Sequence, residues 1–150
     1  MTLDRIAKWN QNGNVQCGFC KDGKESHEHL FFECKFTQQI WSNLRTVSWR
    51  LGDENSIQEL LQVISSFKGQ NNIGNVVNKL LFAAAVYYVW QERNNRIFQR
   101  KERTEEAVCN LIKKNVRVKL LSIRIRNTKN VIRIGEMWRM KWANYSFVAV

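Results

Sequence analysis

Three of the chain's four cysteines and both histidines fall within eighteen residues, Cys17 to Cys34, reading CGFCKDGKESHEHLFFEC. Cys17 and Cys20 form a C-x2-C pair. Eight residues separate Cys20 from His29, and four separate His29 from Cys34. The pattern C-x2-C-x8-H-x4-C offers three thiolates and one imidazole. Zinc takes four tetrahedral ligands of this kind, and a set filled entirely by protein is structural rather than catalytic. A C-x2-C pair wraps one ion from a tight turn, and Gly18 lets that turn bend. The x4 spacing of His29 and Cys34 is longer than one α-helical turn. Both converge if the segment starts helical or bends.

His27 competes with His29 as the ligand, and spacing alone leaves both open. Leu30, Phe31 and Phe32 can pack behind His29 and fix its ring, a modest point in its favour. A disulfide with one cysteine left over would suit a secreted domain. The N-terminal MTLDRIAKWNQNG has no apolar signal core, so nothing supports that context. A redox C-x2-C would sit in a strand–helix pattern, which is missing here. Structural zinc is the favoured reading. Cys109, beside Val108 on the apolar side of an expected helix, reads as a buried core thiol.

The 150 residues fit one domain or a module plus an appendage. At 44% hydrophobic the chain can bury a modest core, and its lack of proline suits long helices. The apolar run LLFAAAVYYVW, Leu80 to Trp90, is about half the length a membrane span needs. No membrane partner is expected, and the expected location is intracellular, in nucleus or cytoplasm. The net charge of +11 is unevenly spread. Residues 1–90 hold 9 Lys/Arg and 8 Asp/Glu, a balance of +1, whereas residues 91–150 hold 15 and 5, a balance of +10. A basic half beside a neutral half points to a polyanion, nucleic acid first and an anionic membrane second.

Leu3, Ile6 and Trp9 give one apolar edge to a short N-terminal helix, ended by a turn at Asn12-Gly13. A helix is expected from near His27 through Phe36 to Leu44. Ser56 with Glu59 matches a capping box, opening a helix that carries Ile57, Leu60, Leu61, Ile64 and Phe67. Lys68 to Asn72 is the best candidate linker. The strongest helix runs roughly from Asn75 to Gln99, apolar almost all round in its middle and so the most buried element. Lys101-Glu102-Arg103 marks a break. Thr104, with Glu105 and Glu106, then opens a helix with acids against the positive end of its dipole. Its apolar stripe is Val108, Leu111, Ile112, Val116 and Ile123. Beyond it, Ile123 to Arg126 and Val131 to Ile134 alternate as strands do, but helix is favoured. Met137 to Trp142 suggest a last helix or an ordered tail. The fold class expected is mainly α, a small Cys3His zinc knuckle joined to a helical bundle. Residues 1–50 would form the zinc-binding region, with its knuckle at 17–34. Residues 51–150 would form the helical region with a basic C-terminal part.

The segments TLDRIAKW, CGFC and KESHEHLFFECKFTQQIW resemble the zinc-binding region of plant non-LTR (LINE-type) reverse transcriptases. In that family T-x-D-R-L-x-x-W precedes C-x-x-C, an E-[ST]-x-x-H-L-F-F-x-C core and a closing [IV]-W. Thr2, Asp4, Arg5 and Trp9 match the first part, and Cys17 and Cys20 the pair. Glu25, Ser26, His29, Leu30, Phe31, Phe32 and Cys34 match the core, and Ile40 and Trp41 the close. The later W-x-E-R-N-x-R-x-F is matched by Trp90, Glu92, Arg93, Asn94, Arg96 and Phe98. The resemblance covers about residues 2–120. It implies that Cys17, Cys20, His29 and Cys34 hold zinc, with His29 rather than His27 as the ligand. The chain departs from the family in lacking the upstream tryptophan-rich part and the polymerase. No Tyr-x-Asp-Asp-type carboxylate pair is present for two-metal chemistry, so catalysis does not carry over.

The first functional expectation is a non-catalytic nucleic-acid-binding module. Arg93, Arg96, Arg100, Lys101, Lys113, Lys114 and Arg117 would contact RNA or DNA phosphates, and Phe19 would stack on a base. Two alternatives stay open: Phe19 packs under the zinc turn, or Arg93, Asn94 and Arg96 cap and staple the helix pair. The second expectation is a protein-interaction or self-association module of a domesticated retroelement fragment. There Trp138, Met140, Trp142, Tyr145 and Phe147 would anchor a host partner or a dimer, unless they cover the chain's own core.

Overall fold

The computed structural model describes residues 16–49, 51–52, 56–66, 72–142 and 145–146. The expected N-terminal helix, the linker at 68–71 and Phe147 lie outside the described residues. The described elements are mainly helices, as the sequence predicts, with one short strand pair that it does not.

The first helical turn, His29–Glu33, is π-helical, and α1 follows as Lys35–Arg45. The single helix expected from His27 to Leu44 is therefore two. Cys34 breaks it with extended backbone, φ −64° and ψ 133°. α1 buries Phe36, Thr37, Ile40, Trp41 and Leu44 on one face. α2, Ile57–Ser66, opens on Ser56, whose Oγ accepts from the Glu59 backbone N–H at 3.1 Å, the predicted cap. It contributes Leu60 to the core.

α3, Ile73–Asn94, starts on Asn72, whose side chain accepts from the Gly74 N–H. Val77, Leu81, Ala85 and Val89 are buried on it. A π-helical turn, Asn95–Gln99, follows directly. By length and composition Ile73–Gln99 is long and apolar enough to cross a membrane, and 50% of its most apolar stretch is buried inside this fold. A buried asparagine on α3 ties down the chain leaving α1. Asn78 accepts from the Trp49 N–H at 2.8 Å and donates to the Trp49 carbonyl at 2.7 Å. The Trp49 indole lies over Gly74, where a Cβ would collide with the ring.

The chain reverses at Arg100, in the left-handed region at φ 52°. α4, Glu105–Ser122, is capped by Thr104, whose Oγ accepts from the Ala107 N–H, with Glu105 and Glu106 in its first turn. It packs on α3 and α1 through Val108, Cys109, Ile112, Val116 and Leu120. Cys109 is a buried thiol, as expected, and burial pushes its pKa up. Leu111 is only half-buried, and Ile123 ends the helix in extended backbone.

The alternation after Ile123 splits in two. β1, Ile125–Arg126, pairs in parallel with β2, Tyr145–Ser146, so helix was the wrong expectation there. α5, Lys129–Met137, takes Val131 to Ile134 into a helix capped by Thr128. Trp138 and Trp142 are buried in the chain's own core, and their indole N–H groups donate to Val47 and Val131 carbonyls. They are core residues rather than a partner's anchors, and Met140 packs partly buried against the same core.

Candidate metal centre

The metal site is assembled from a tight turn and the π-helical turn. At the first, Gln16 and Lys24 form an antiparallel bridge, and the Cys17 N–H donates to the Gly23 carbonyl at 2.8 Å. The Lys21 N–H returns to the Cys17 carbonyl, and Lys21 takes the left-handed conformation at φ 59°. The turn's positive φ falls on Lys21 rather than on Gly18. This brings Cys17 and Cys20 to one side.

At the second, Ser26 Oγ accepts from the His29 N–H at 3.0 Å and starts the turn. The Cys34 N–H donates to the His29 carbonyl at 2.8 Å, an i to i+5 bond between the two ligand residues themselves. The x4 spacing is too long for an α-turn and suits a π-turn, whose closing bond spans that interval. Leu30, Phe31 and Phe32 on this turn are buried, and the Trp41 indole donates to the Phe31 carbonyl at 2.7 Å. Each residue of the matched E-S-x-x-H-L-F-F-x-C core thus has a structural duty.

The ligand atoms of Cys17, Cys20, His29 and Cys34 all lie within 4.8 Å of one another. Cys17 Sγ and Cys34 Sγ are 3.8 Å apart, and Cys20 Sγ is 3.3 Å from His29 Nε2. Zn–S bonds of about 2.3 Å in a tetrahedron require S···S edges of about 3.8 Å, which the Cys17–Cys34 edge matches, so the cluster is positioned to hold zinc. His29 Nδ1 faces Glu33 Oε2 at 3.7 Å, which leaves Nε2 for the metal, in the carboxylate–histidine arrangement common at zinc sites. His27 is exposed and stands apart from this cluster. Gly23 makes room for the ring, since a Cβ there would lie 2.8 Å from His29 Cε1.

Cys17 and Cys34 are buried, while Cys20 and His29 are half-buried. The hydrogen bond with Cys34 pulls the Cys17 thiol down to about 5, aided by the Cys20 and Phe19 backbone N–H groups and opposed by burial. Its partner Cys34 moves upward, because the shared hydrogen bond and burial both favour its protonated form. Zinc held by these two thiolates would take the place of that proton. All four positions are protein ligands, so the metal's chemistry here is structural.

A buried ion pair fastens the knuckle to α3. Arg93 Nη2 lies 3.0 Å from Glu25 Oε1, and both residues are about 1% exposed. Next to it, Glu92 Oε1 accepts from Arg96 Nε at 2.9 Å and from the Arg103 N–H at 2.7 Å. Arg96 also donates to the Arg103 carbonyl, and its guanidinium lies over the Phe36 and Phe19 rings at 4.5 and 5.1 Å.

Arg93 and Arg96 are therefore staples and do not present their charge to a phosphate; this corrects the phosphate-contact expectation for both. Phe19 stacks on Phe36 with centroids 4.5 Å apart, under the zinc turn as in the alternative reading. Arg100, Lys101, Lys114 and Arg117 are exposed, and Lys113 is half-buried. Arg117 also donates to the Trp138 carbonyl at 2.7 Å, holding α5 against α4. The Glu25–Arg93 and Glu92–Arg96 pairings were missed as pairs. The E-R-N-x-R string signals the Glu92–Arg96 pair by its i, i+4 spacing, but nothing local signals Glu25 as the partner of Arg93.

A family model described as zinc-binding in reverse transcriptase matches residues 1–41. This stretch is similar to the zinc-binding part of a reverse transcriptase. The matched family binds zinc, and the fold brings the four ligands together; zinc is the cofactor of this site. The match takes in the zinc-binding region and no catalytic domain. No curated protein and no solved structure matches the chain significantly.

Proposed function

We propose that this chain is a non-catalytic, zinc-stabilised module that binds RNA or DNA, derived from a plant LINE-type reverse transcriptase and working inside the cell. The observation that carries this is where the positive charge lies. From Ala107 to the C-terminus the sequence holds ten Lys/Arg and one acid, Glu136. Among these, Lys114, Arg117, Lys119, Arg124, Arg126, Lys129, Arg133, Arg139 and Lys141 are exposed. The zinc knuckle and its ion pairs brace the helices that present this charge. Gel-shift or anisotropy titration of the zinc-loaded chain against RNA and DNA tests it. Phosphate contacts predict that log K falls with log salt by about 0.7–0.9 per contact. Undetectable or salt-insensitive binding to both would overturn it.

A second reading, self-association or a protein partner, has a specific observation behind it. Tyr87, Trp90 and Phe98 are exposed along one side of α3 and the following turn, Phe98 at 72%. Large exposed aromatics of this kind mark interaction surfaces. A salt-resistant dimer that does not bind nucleic acid would favour this reading over the first.

A further inference from the structure

A large open cleft lies far along the chain from the knuckle. It encloses 780 Å³ between the start of α3, β1 and the start of α5. Ile73, Val76, Ile123 and Val131 form an apolar floor, and Arg124 and Arg126 stand at its rim. No carboxylate lines it. Strand alternation turns Ile125 into the core and leaves both arginines exposed.

These two arginines differ from Arg93, Arg96 and Arg103. Those three each face a carboxylate, Glu25 or Glu92, whereas Arg124 and Arg126 have no ion pair among the described residues. They lie in the stretch from Ala107 whose one acid is Glu136. Two exposed arginines two residues apart on extended chain stand about 7 Å apart, a repeat of the same order as neighbouring phosphates on a single strand. Beneath them, half-buried Val76 and Ile123 offer apolar surface that a duplex, with its bases stacked inside, would leave uncovered.

We infer that this cleft is the seat of a single-stranded nucleic acid, with Arg124 and Arg126 on successive phosphates and a base or sugar against Val76 and Ile123. The inference rests on the nucleic-acid reading above and gives it a place. The positive ends of the α3 and α5 dipoles add to the same field.

The test compares the zinc-loaded wild type with Arg124→Gln/Arg126→Gln and Arg124→Lys/Arg126→Lys, using an oligo-U RNA, an oligo-dT DNA and a DNA duplex. Both positions are exposed, so unchanged zinc content and thermal midpoint confirm folding. The expected result is wild-type preference for the single strands and a salt slope shallower by about 1.4 in the Gln variant. The Lys variant should keep that slope. Val76→Glu, a carboxylate in the floor, should weaken single-strand binding at least tenfold. Wild-type binding with an unchanged slope in the Gln variant would overturn the cleft and leave the broader reading standing. Equal or tighter duplex binding would also overturn it. A wild type that binds none of the three probes, or only vesicles of anionic lipid, would overturn both.

Discussion

Glu25 and Arg93 stand 68 positions apart in the chain and meet as a buried, two-pronged ion pair, Arg93 Nε and Nη2 reaching the two carboxylate oxygens at 3.4 and 3.0 Å. Arg93 also donates to Asn94 Oδ1 at 2.9 Å. Glu25 lies in the loop between the two ligand pairs, and Arg93 is in the last turn of α3. The pair is the mechanical link between the metal site and the helices.

Removing one member of such a pair leaves a buried charge alone. Arg93→Ala should cost about 3–5 kcal/mol, read by chemical denaturation of the zinc-loaded protein. Arg93→Met together with Glu25→Met should recover much of this, because well-packed apolar groups often match or exceed a buried pair in stability. A single variant within about 1 kcal/mol of wild type would show that the pair does not bind the two parts together.

Asn78 substitutes for a strand partner by pairing with both backbone groups of Trp49. Asn78→Ala strands a buried N–H and a buried carbonyl, and should cost about 2–4 kcal/mol at the midpoint of unfolding. The same variant should alter tryptophan fluorescence, since Trp49 is held over Gly74 by these bonds. A wild-type spectrum and stability would contradict this.

Gly23→Ala pushes a methyl group against the imidazole of His29. It should lower zinc affinity about 10–100-fold in competition with a chelator, as disturbing the groups that orient a ligand does at such sites. Gly18→Ala, whose Cβ would meet Ile97 at an ordinary 3.6 Å, should leave affinity unchanged. Equal affinities in the two variants would sink this account of the turn.

Much of this was legible in the sequence, for physical reasons that differ by region. Three thiolates and an imidazole at those spacings have few other uses, so zinc could be read directly, while the choice of His29 over His27 came from the family resemblance. The long apolar stretch around Leu81 and Ala85, apolar almost all round, announced a buried helix. Ser56, Thr104 and the acids after Thr104 announced their helix starts through capping chemistry. The break at Cys34 was hidden, because Leu30, Phe31, Phe36 and Ile40 keep helical spacing across it. It takes the metal geometry, with its i to i+5 bond, to see why the helix must stop. Arg93 and Arg96 were misread because a sequence shows charge and not its partner. Glu25 is too distant in the chain for any local pattern to pair it with Arg93. Ile123 to Arg126 and Val131 to Ile134 alternate alike, yet only the first finds a strand to pair with.

The most direct test of the zinc clasp is native mass spectrometry of the purified chain, with Cys34→Ser, His29→Ala and His27→Ala alongside. One zinc per chain is predicted for the wild type and for His27→Ala, with loss of the metal in Cys34→Ser and strongly reduced occupancy in His29→Ala. Full zinc occupancy in Cys34→Ser and His29→Ala, or its loss in His27→Ala, would contradict the assigned centre.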